Sequence, residues 1–194
     1  MLEKVLIGYG GHAREVMVQM NMTLPCYVDD EFIDKNTLPI SKLIFEECEV
    51  MVAIGDPVSR KKIVDKLPSH TKYFTFIHHT AQIMNDNIEI GEGSFIGANS
   101  IITTNVKIGK HSLLNRGCHI GHDTVIGDYL SMMPNSVISG NVNIGNGFYM
   151  GTNSSVREKI NICDNVTIGL NSGVVKDINE KGVYVGLPVK KINK

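Results

Sequence analysis

The segment GCHIGHD, residues 117–123, places two histidines three residues apart and a carboxylate directly after the second one. A carboxylate next to an imidazole favours the protonated ring, so Asp123 would make His122 a stronger general base. Together with His111, the residues His119 and His122 also offer three nitrogen ligands to a zinc ion. A third interpretation is that they are polar side chains on a surface turn. The choice depends on which of these side chains the fold brings together.

A six-residue repeat determines the position of these histidines. An apolar side chain recurs at every sixth residue from residue 84 to residue 174. Two residues before it the side chain is often small or β-branched, as at Ser94, Cys118 and Thr124. The apolar column and the small column are both predicted to point inward. Glycine often follows the apolar residue, for example at Gly121 and Gly127, as a turn with positive φ would require. The apolar positions, methionine included, are Met84, Ile90, Ile96, Ile102, Ile108, Leu114, Ile120, Ile126, Met132, Ile138, Ile144, Met150, Val156, Ile162, Ile168 and Val174.

A period of six with one short strand per repeat is typical of a parallel β-helix with three strands per coil. Residues 18 positions apart then stack one coil, about 4.8 Å, above one another. In this register Ile120 points inward and His119 outward, which separates the two histidines of GCHIGHD. Gly140 lies one coil from His122, where a glycine exposes an N–H to an oxyanion. The flat faces of such a prism must be covered, which predicts a homotrimer.

Residues 1–80 alternate short apolar runs with amphipathic stretches, which predicts a small α/β domain ahead of a β-helix domain at 81–194. The sequence GYGGHA, residues 8–13, lies between a predicted strand and a predicted helix. Such a turn can bind the phosphates of one nucleotide, and Asp29 and Asp30 could accept hydrogen bonds from its ribose or base. An ordinary strand-to-helix turn is the alternative.

Composition limits the functional classes. A net charge of -1 without a long run of Lys or Arg argues against nucleic-acid and anionic-membrane partners. The short group Arg60, Lys61 and Lys62 is predicted to form a solvated helix face, although Arg60, near Gly55, could instead reach a phosphate. The N-terminal residues have neither a secretion signal nor a membrane span, so a cytoplasmic location is expected. Four widely spaced cysteines indicate buried thiols in a reducing compartment: Cys26, Cys48, Cys118 and Cys163.

The combination of these segments resembles a known family. The hexapeptide array closes in GVYVGLPVKK, and the N-terminal part opens IGYGGHAREV and continues VAIGDPVSRKK. This is similar to the left-handed β-helix sugar acyltransferases, in the sialic-acid O-acetyltransferase branch that includes N-acetyltransferases of nucleotide-linked 4-amino sugars. The resemblance implies a small Rossmann-like domain followed by a left-handed parallel β-helix. Only the resemblance indicates the left hand, because parallel crossovers are normally right-handed.

The resemblance also implies roles for individual residues. The segment HDTVIGDY aligns His122 and Asp123 with the family's catalytic base and the acid after it. Gly140 would offer its N–H to the thioester carbonyl, and Thr152 and Leu170 would supply main-chain contacts to coenzyme A. Ser131 occupies the position of a second histidine that contacts the acetyl group in the amino-sugar branch. The nucleotide-sugar would be bound by Gly10, Gly11, His12, Asp29, Asp30 and Gly55, and Asn115 could approach the sugar.

The function that follows is acetyl-CoA-dependent, metal-free N-acetylation of the 4-amino group of a nucleotide-activated deoxy sugar. One alternative is an O-acetyltransferase acting on a sialic-acid-type sugar. Another is a metalloenzyme similar to the γ-class carbonic anhydrases, with zinc on His111, His119 and His122, although such an enzyme needs no nucleotide-binding domain. A catalytically inactive sugar-binding homologue is the fourth possibility.

Overall fold

The computed structural model describes residues 2–84 and 87–193. The N-terminal part is a layered α/β unit whose elements are strands β1 (Glu3–Ile7), β2 (Cys26–Val28), β3 (Leu38–Pro39) and β4 (Cys48–Val52), helices α1 (Gly11–Met20) and α2 (Pro57–Val64), and 3₁₀ turns at Asp30–Phe32, Ile40–Lys42 and Phe45–Glu47. The four strands pair in parallel in the order β3-β2-β1-β4. This arrangement agrees with the predicted α/β unit.

Local sequence explains where the two helices begin and which face they bury. Helix α1 packs on the sheet through Ala13 and Val16, three residues apart and both fully buried. Helix α2 begins after Asp56, whose carboxylate accepts the Ser59 N–H at 2.7 Å. Pro57 takes the first helical position, where a backbone N–H would have no acceptor within the helix, so the lack of an N–H in proline costs no hydrogen bond. None of the described helices is long and apolar enough to cross a membrane.

The remainder of the chain winds into a three-sided prism of short parallel strands. Its first face contains β5 (Phe76–Ile77), β8 (Phe95–Ile96), β11 (Leu113–Leu114), β14 (Ser131–Met132), β17 (Tyr149–Met150), β20 (Val166–Ile168), β22 (Gly182–Val185) and the antiparallel β23 (Lys190–Ile192). The second face contains β6 (Gln82–Ile83), β9 (Ile101–Ile102), β12 (His119–Ile120), β15 (Val137–Ile138), β18 (Ser155–Val156) and β21 (Gly173–Val174). The third face contains β7 (Ile88–Ile90), β10 (Val106–Ile108), β13 (Val125–Ile126), β16 (Asn143–Ile144) and β19 (Asn161–Ile162).

The strand pairing has the predicted register. Leu114 pairs with Met132 and Ile120 pairs with Ile138, in each case 18 residues further along the chain. The repeated apolar side chains are buried from Ile96 onward, as is the small column two residues before them, so the inward direction of both columns is confirmed there. Met84, at the start of the prism, is 63% exposed. The domain boundary between residues 80 and 81 stays a prediction. Strand β5 lies before this boundary in the chain, although it pairs with β8 in the first face of the prism.

The corners of the prism correct the predicted role of the glycines. Left-handed backbone occurs three residues after each apolar position, without a gap from residue 93 to residue 171, and not at the glycines directly after it. Those glycines are required by close approach instead. A Cβ on Gly121, for example, would lie 2.6 Å from the Gly140 nitrogen in the next coil. The left-handed residues are mostly Asn or Gly, which tolerate that conformation, with Asp123 among the exceptions.

The α/β unit packs on the first face of the prism. One apolar cluster joins Leu6, Ala13 and Met51 of the N-terminal part to the outward side chains Phe95 and Leu113 of the prism. Phe95 and Leu113 are only 2% exposed, although their positions in the repeat point away from the prism core. The two parts of the chain therefore share a continuous apolar interface.

Arg60 is buried in this interface, and the prediction that it lies on a solvated helix face is wrong. Its side chain is 2% exposed and has no carboxylate partner among the ion pairs of the described residues. Burial lowers the pKa of Arg60 to about 10. All five of its N–H donors are used, by the main-chain carbonyls of Ile54, Gly55, His111 and Leu130 and by the hydroxyl of Ser131. Arg60 thus holds the loop after β4 against two successive coils of the prism.

We expect Arg60→Ala to destabilise the protein strongly, because several buried carbonyl oxygens would lose their donor. The free energy of unfolding should fall by about 3 kcal/mol, measured by urea denaturation. The neighbouring Lys61→Ala is the matched control, since Lys61 is exposed, pairs with Asp65 and otherwise lies over the Tyr129 ring. Equal unfolding midpoints for the two variants would contradict the assignment of Arg60 as a buried connection.

Candidate active site

His122 and Asp123 form a hydrogen-bonded pair at the corner between the second and third faces. His122 Nδ1 lies 2.7 Å from Asp123 Oδ2. Asp123 has left-handed backbone, with φ of 57°, and its N–H donates to the Thr104 carbonyl one coil earlier. The His122 side chain is 56% exposed and therefore accessible to a substrate. Hydrogen bonds from His122 and from Asn105 hold the pKa of Asp123 below its usual value, so the carboxylate stays ionised near neutral pH.

Gly140 lies directly against the His122 ring in the next coil, as the register predicted. A Cβ on Gly140 would be 2.6 Å from His122 Nε2, so the imidazole occupies the space that any other residue would fill. Within the described ranges the Gly140 N–H donates to no acceptor. The exposed His122 ring therefore lies against a buried glycine whose N–H has no acceptor in the described part of the chain. This pairing can remove a proton from a nucleophile and stabilise an oxyanion on the same substrate.

Thr152 and Leu170 stack at a different corner, between the first and second faces. The Asn171 N–H donates to the Thr152 carbonyl, which connects the two coils. Leu170 is 70% exposed, and a Cβ on Gly151 would lie 2.6 Å from its nitrogen. The two residues thus form an exposed edge with accessible backbone, which is compatible with main-chain contacts to a long ligand. This edge is separated from His122 by the second face of the prism.

Ser131 does not present its hydroxyl to solvent. The side chain is fully buried, donates to the Gly55 carbonyl at 2.7 Å and accepts from Arg60 at 2.8 Å. Both the serine hydroxyl and the Gly55 carbonyl are therefore engaged within the protein. The structure places Gly55 next to the first face of the prism, whereas His122 follows a strand of the second face.

The N-terminus of helix α1 has an open side that a phosphate could approach. A Cβ on Gly10 or Gly11 would meet no atom within 4 Å, and Gly10 is the N-cap residue. His12 turns towards the prism, where its ring lies edge-on to Phe95 at 5.4 Å. Burial, with a smaller effect of Arg60, lowers the pKa of His12 to about 4, so this imidazole is neutral at pH 7. Its Nδ1 is buried and has no hydrogen-bond partner within the described ranges.

The structure separates Asp29 from Asp30. Asp29 lines a largely apolar cavity of about 640 Å³ between the sheet and helix α2, together with Gly8, Ile54 and Lys66. Its Oδ2 lies 3.7 Å from the Lys66 ammonium. Asp30 instead accepts hydrogen bonds from the Ser41 hydroxyl and N–H on the surface. The cavity is large enough for one small ligand, with Asp29 as a polar group at its wall.

Asn115 lies in the interface between helix α1 and the prism. It is 5% exposed, its Nδ2 donates to Glu15 at 3.1 Å, and its Oδ1 accepts from the Arg116 N–H. The side-chain amide thus connects two parts of the same chain. Sequence reasoning did not find this contact, because the partner Glu15 is 100 residues away.

The three histidines of the alternative zinc site do not converge. His111 is buried at another corner, with its ring 4.5 Å from that of Tyr73 and 5.4 Å from that of Tyr129. His119 lies exposed on the second face, and His122 lies at the corner after it. Within residues 2–84 and 87–193 no group of three His, Cys, Asp or Glu side chains could hold a metal ion.

Comparisons with known proteins agree with this architecture. The sequence profile of the bacterial transferase hexapeptide (six repeats) matches residues 87–122. No sequence among the curated proteins matches the chain. A crystal structure of a point mutant of perosamine N-acetyltransferase from Caulobacter crescentus, in complex with CoA and GDP-perosamine, is similar with a TM-score of 0.88 and 24% identity. The similarity covers 99% of this chain and 97% of that one.

Two further solved structures share the fold along the whole chain. WeeI from Acinetobacter baumannii AYE has a TM-score of 0.87 and 24% identity, over 99% of this chain and 100% of that one. The acetyltransferase domain of PglB from Neisseria gonorrhoeae FA1090 has a TM-score of 0.67 and 21% identity, with the same coverage. The fold is therefore a small α/β domain followed by a left-handed parallel β-helix, and the predicted resemblance to sugar acyltransferases of this architecture is confirmed for the fold.

The contact between Gly140 and His122 can be tested by adding one methyl group. We expect Gly140→Ala to displace the His122 ring, because the new Cβ would lie 2.6 Å from Nε2. Gly140 has no positive φ and the ring is exposed, so the free energy of unfolding should change by less than about 1 kcal/mol. Imidazole nitrogen chemical shifts would report the displacement, with Ser139→Ala as control. Unchanged His122 shifts in Gly140→Ala would contradict the close approach.

Proposed function

We propose that the protein is an acetyl-CoA-dependent N-acetyltransferase that acetylates the 4-amino group of a nucleotide-activated amino-deoxy sugar. The observation that carries this proposal is the His122–Asp123 pair lying against Gly140, whose N–H has no acceptor within the described residues. Support comes from the shared fold, since one similar structure contains CoA and GDP-perosamine and another is an acetyltransferase domain in complex with acetyl coenzyme A. None of the four cysteines forms a disulfide; three are buried as predicted, whereas Cys163 is partly exposed.

The proposed reaction is a direct attack of the sugar amine on the thioester carbonyl. His122 Nε2 removes the proton from the attacking nitrogen, while Asp123 stabilises the imidazolium that forms. The carbonyl oxygen becomes an oxyanion beside the Gly140 N–H. When the carbon–sulfur bond breaks, the coenzyme A thiolate takes the proton from His122, which restores the neutral base. No covalent acyl-enzyme is needed, and no metal takes part.

The α/β domain would hold the nucleotide part of the acceptor. The open backbone at Gly10 and Gly11 lies at the N-terminus of a ten-residue helix, where N–H groups and the helix dipole favour phosphates. The apolar cavity beside Asp29 is suited to the base, with the carboxylate as a hydrogen-bond acceptor. Gly55, which Arg60 and Ser131 fix in place, would complete this side of the sugar-nucleotide site.

We propose that the working site forms between protomers of a homotrimer. The α/β domain covers the first face of its own prism, whereas His122 lies at the corner between the other two faces. Thr152 and Leu170 lie at yet another corner, so one chain does not bring acceptor, donor and base together. Packing three prisms side by side places a corner of one chain against a neighbour's faces. Exposed apolar side chains on the uncovered faces, such as Val125 and Val137, are available for such contacts.

A thiol-release assay with acetyl-CoA and a panel of UDP-, dTDP- and GDP-linked amino sugars tests the proposed reaction. We expect turnover with a 4-amino sugar, and His122→Ala should lower kcat by about 10²- to 10⁴-fold because the general base is lost. His119→Ala is the matched control and should retain activity, since His119 lies outside the pair. Activity only on hydroxyl acceptors would favour the O-acetyltransferase alternative. Thiol release at the wild-type rate in His122→Ala would refute the assigned base.

Complementation tests whether the site is shared between protomers. Two variants, Asp29→Ala and His122→Ala, should each be nearly inactive as pure proteins. When they are unfolded together and refolded as mixed trimers, about one site in four should combine an intact α/β domain with an intact His122 from a neighbour. Analytical ultracentrifugation should show a trimer for the wild type and for the mixture. A sedimenting monomer, or a mixture with no regained activity, would contradict the shared site.

A further inference from the structure

Three amide and carboxylate side chains form a hydrogen-bonded ladder that leads to His122. They are Asn87, Asn105 and Asp123, each 18 residues after the previous one and therefore stacked in successive coils. Asn87 Nδ2 donates to Asn105 Oδ1 at 3.3 Å, and Asn105 Nδ2 donates to Asp123 Oδ1 at 3.1 Å. The other carboxylate oxygen, Oδ2, lies 2.7 Å from His122 Nδ1. Each oxygen of Asp123 thus has its own partner.

The direction of this ladder follows from the chemistry of its last member. An ionised carboxylate can only accept hydrogen bonds, so the amide nitrogen of Asn105 must be the atom that faces Asp123. For the same reason His122 Nδ1 must carry a proton when it bonds to Asp123. In the neutral ring the second nitrogen, Nε2, is then unprotonated. Nε2 is the atom that lies against Gly140, at the proposed reaction centre.

One hydrogen bond alone would not fix the carboxylate. The Asp123 side chain is 48% exposed, and its carboxylate group can rotate about the bond to the Cβ. Its main chain is held by the left-handed corner and by the bond to the Thr104 carbonyl, but neither contact restrains the carboxylate oxygens. The Asn105 amide is the second anchor, because it binds the oxygen that His122 does not use.

We infer that Asn105 is a positioning residue of the active site, which orients Asp123 and thereby holds His122 in the tautomer with an unprotonated Nε2. The kinetic part of this inference rests on the proposed acetyl transfer, whereas the tautomer part does not. Asn105 touches neither the reacting nitrogen nor Gly140 through any described contact, so its effect passes through Asp123.

A general preference for Asn at the corners does not account for this contact. Asn105 and Asn165 have nearly the same left-handed backbone, with φ of 53° and 57°. Asn165 is exposed at another corner, and no side-chain hydrogen bond connects it to a carboxylate within the described ranges. Replacing either residue with alanine therefore places alanine in the same unfavourable conformation, but only one replacement removes a partner of Asp123. Asn165→Ala is thus the matched control for Asn105→Ala.

The experiment compares these two variants with the wild type in three measurements. Nitrogen chemical shifts of the His122 ring at alkaline pH, where imidazole is neutral, give the ratio of the two tautomers. Steady-state kinetics give kcat and the KM for acetyl-CoA and for the amino-sugar nucleotide. Thermal unfolding shows whether the two alanine substitutions destabilise the fold to the same extent.

We expect Asn105→Ala to increase the Nε2–H tautomer and to lower kcat about fivefold with both KM values unchanged, as for the loss of one hydrogen bond of ordinary net strength at a half-exposed carboxylate. Asn165→Ala should match the wild type in both readouts. A tautomer ratio in Asn105→Ala equal to that in Asn165→Ala overturns the inference, and so does an unchanged kcat in an active enzyme. If the wild type transfers no acetyl group to any acceptor, the proposed function fails, and the tautomer ratio alone then decides the role of Asn105.

Discussion

The exact stacking of residues 18 positions apart is the constraint on which the candidate site depends. Each coil must return to the same corner in the same conformation, and the left-handed residue three positions after each apolar side chain makes this possible. The main-chain bond from Asn141 to the carbonyl of His122, at 2.7 Å, shows the stacking at the corner of interest. An insertion of one residue between His122 and Gly140 would take the two residues out of register. The geometry of the proposed chemistry is therefore a property of the repeat.

The corner also explains why the acidic partner of His122 is an aspartate. The residue after His122 must adopt left-handed backbone, which short Asn, Asp and Gly side chains tolerate better than larger or branched ones. Among these three, only Asp provides a charge that favours the imidazolium. Its short side chain also keeps the carboxylate close to the neighbouring ring and to Asn105 in the coil before. The same residue satisfies a requirement of the fold and a requirement of the chemistry.

The sequence predicted the features that depend on local period and missed those that depend on distant contacts. The six-residue pattern was sufficient to predict the β-helix, the inward columns and the contact between His122 and Gly140. With three repeats per coil, residues 18 positions apart must stack, so the neighbours can be read from their numbers. The glycine that often follows the apolar residue predicts a left-handed position there, whereas the left-handed residue lies two positions further along the chain. Arg60 could not be recognised as buried, since three of its acceptors are 51, 70 and 71 residues away. The adjacent Asp29 and Asp30 gave no sign that one lines a cavity and the other binds Ser41.

The burial of Ser131 bears on how many bases the reaction can use. A histidine at this position would have to fit a fully buried space between the Gly55 carbonyl and the Arg60 guanidinium, where the serine hydroxyl now binds both. A larger ring would displace the loop that Arg60 holds against the prism, and a charged ring would lie beside a buried cation. The chain instead uses position 131 to fix the N-terminal α/β unit on the first face. In the proposed reaction, proton transfer is then left to His122, whose orientation depends on Asp123 on one side and on the absence of a side chain at Gly140 on the other.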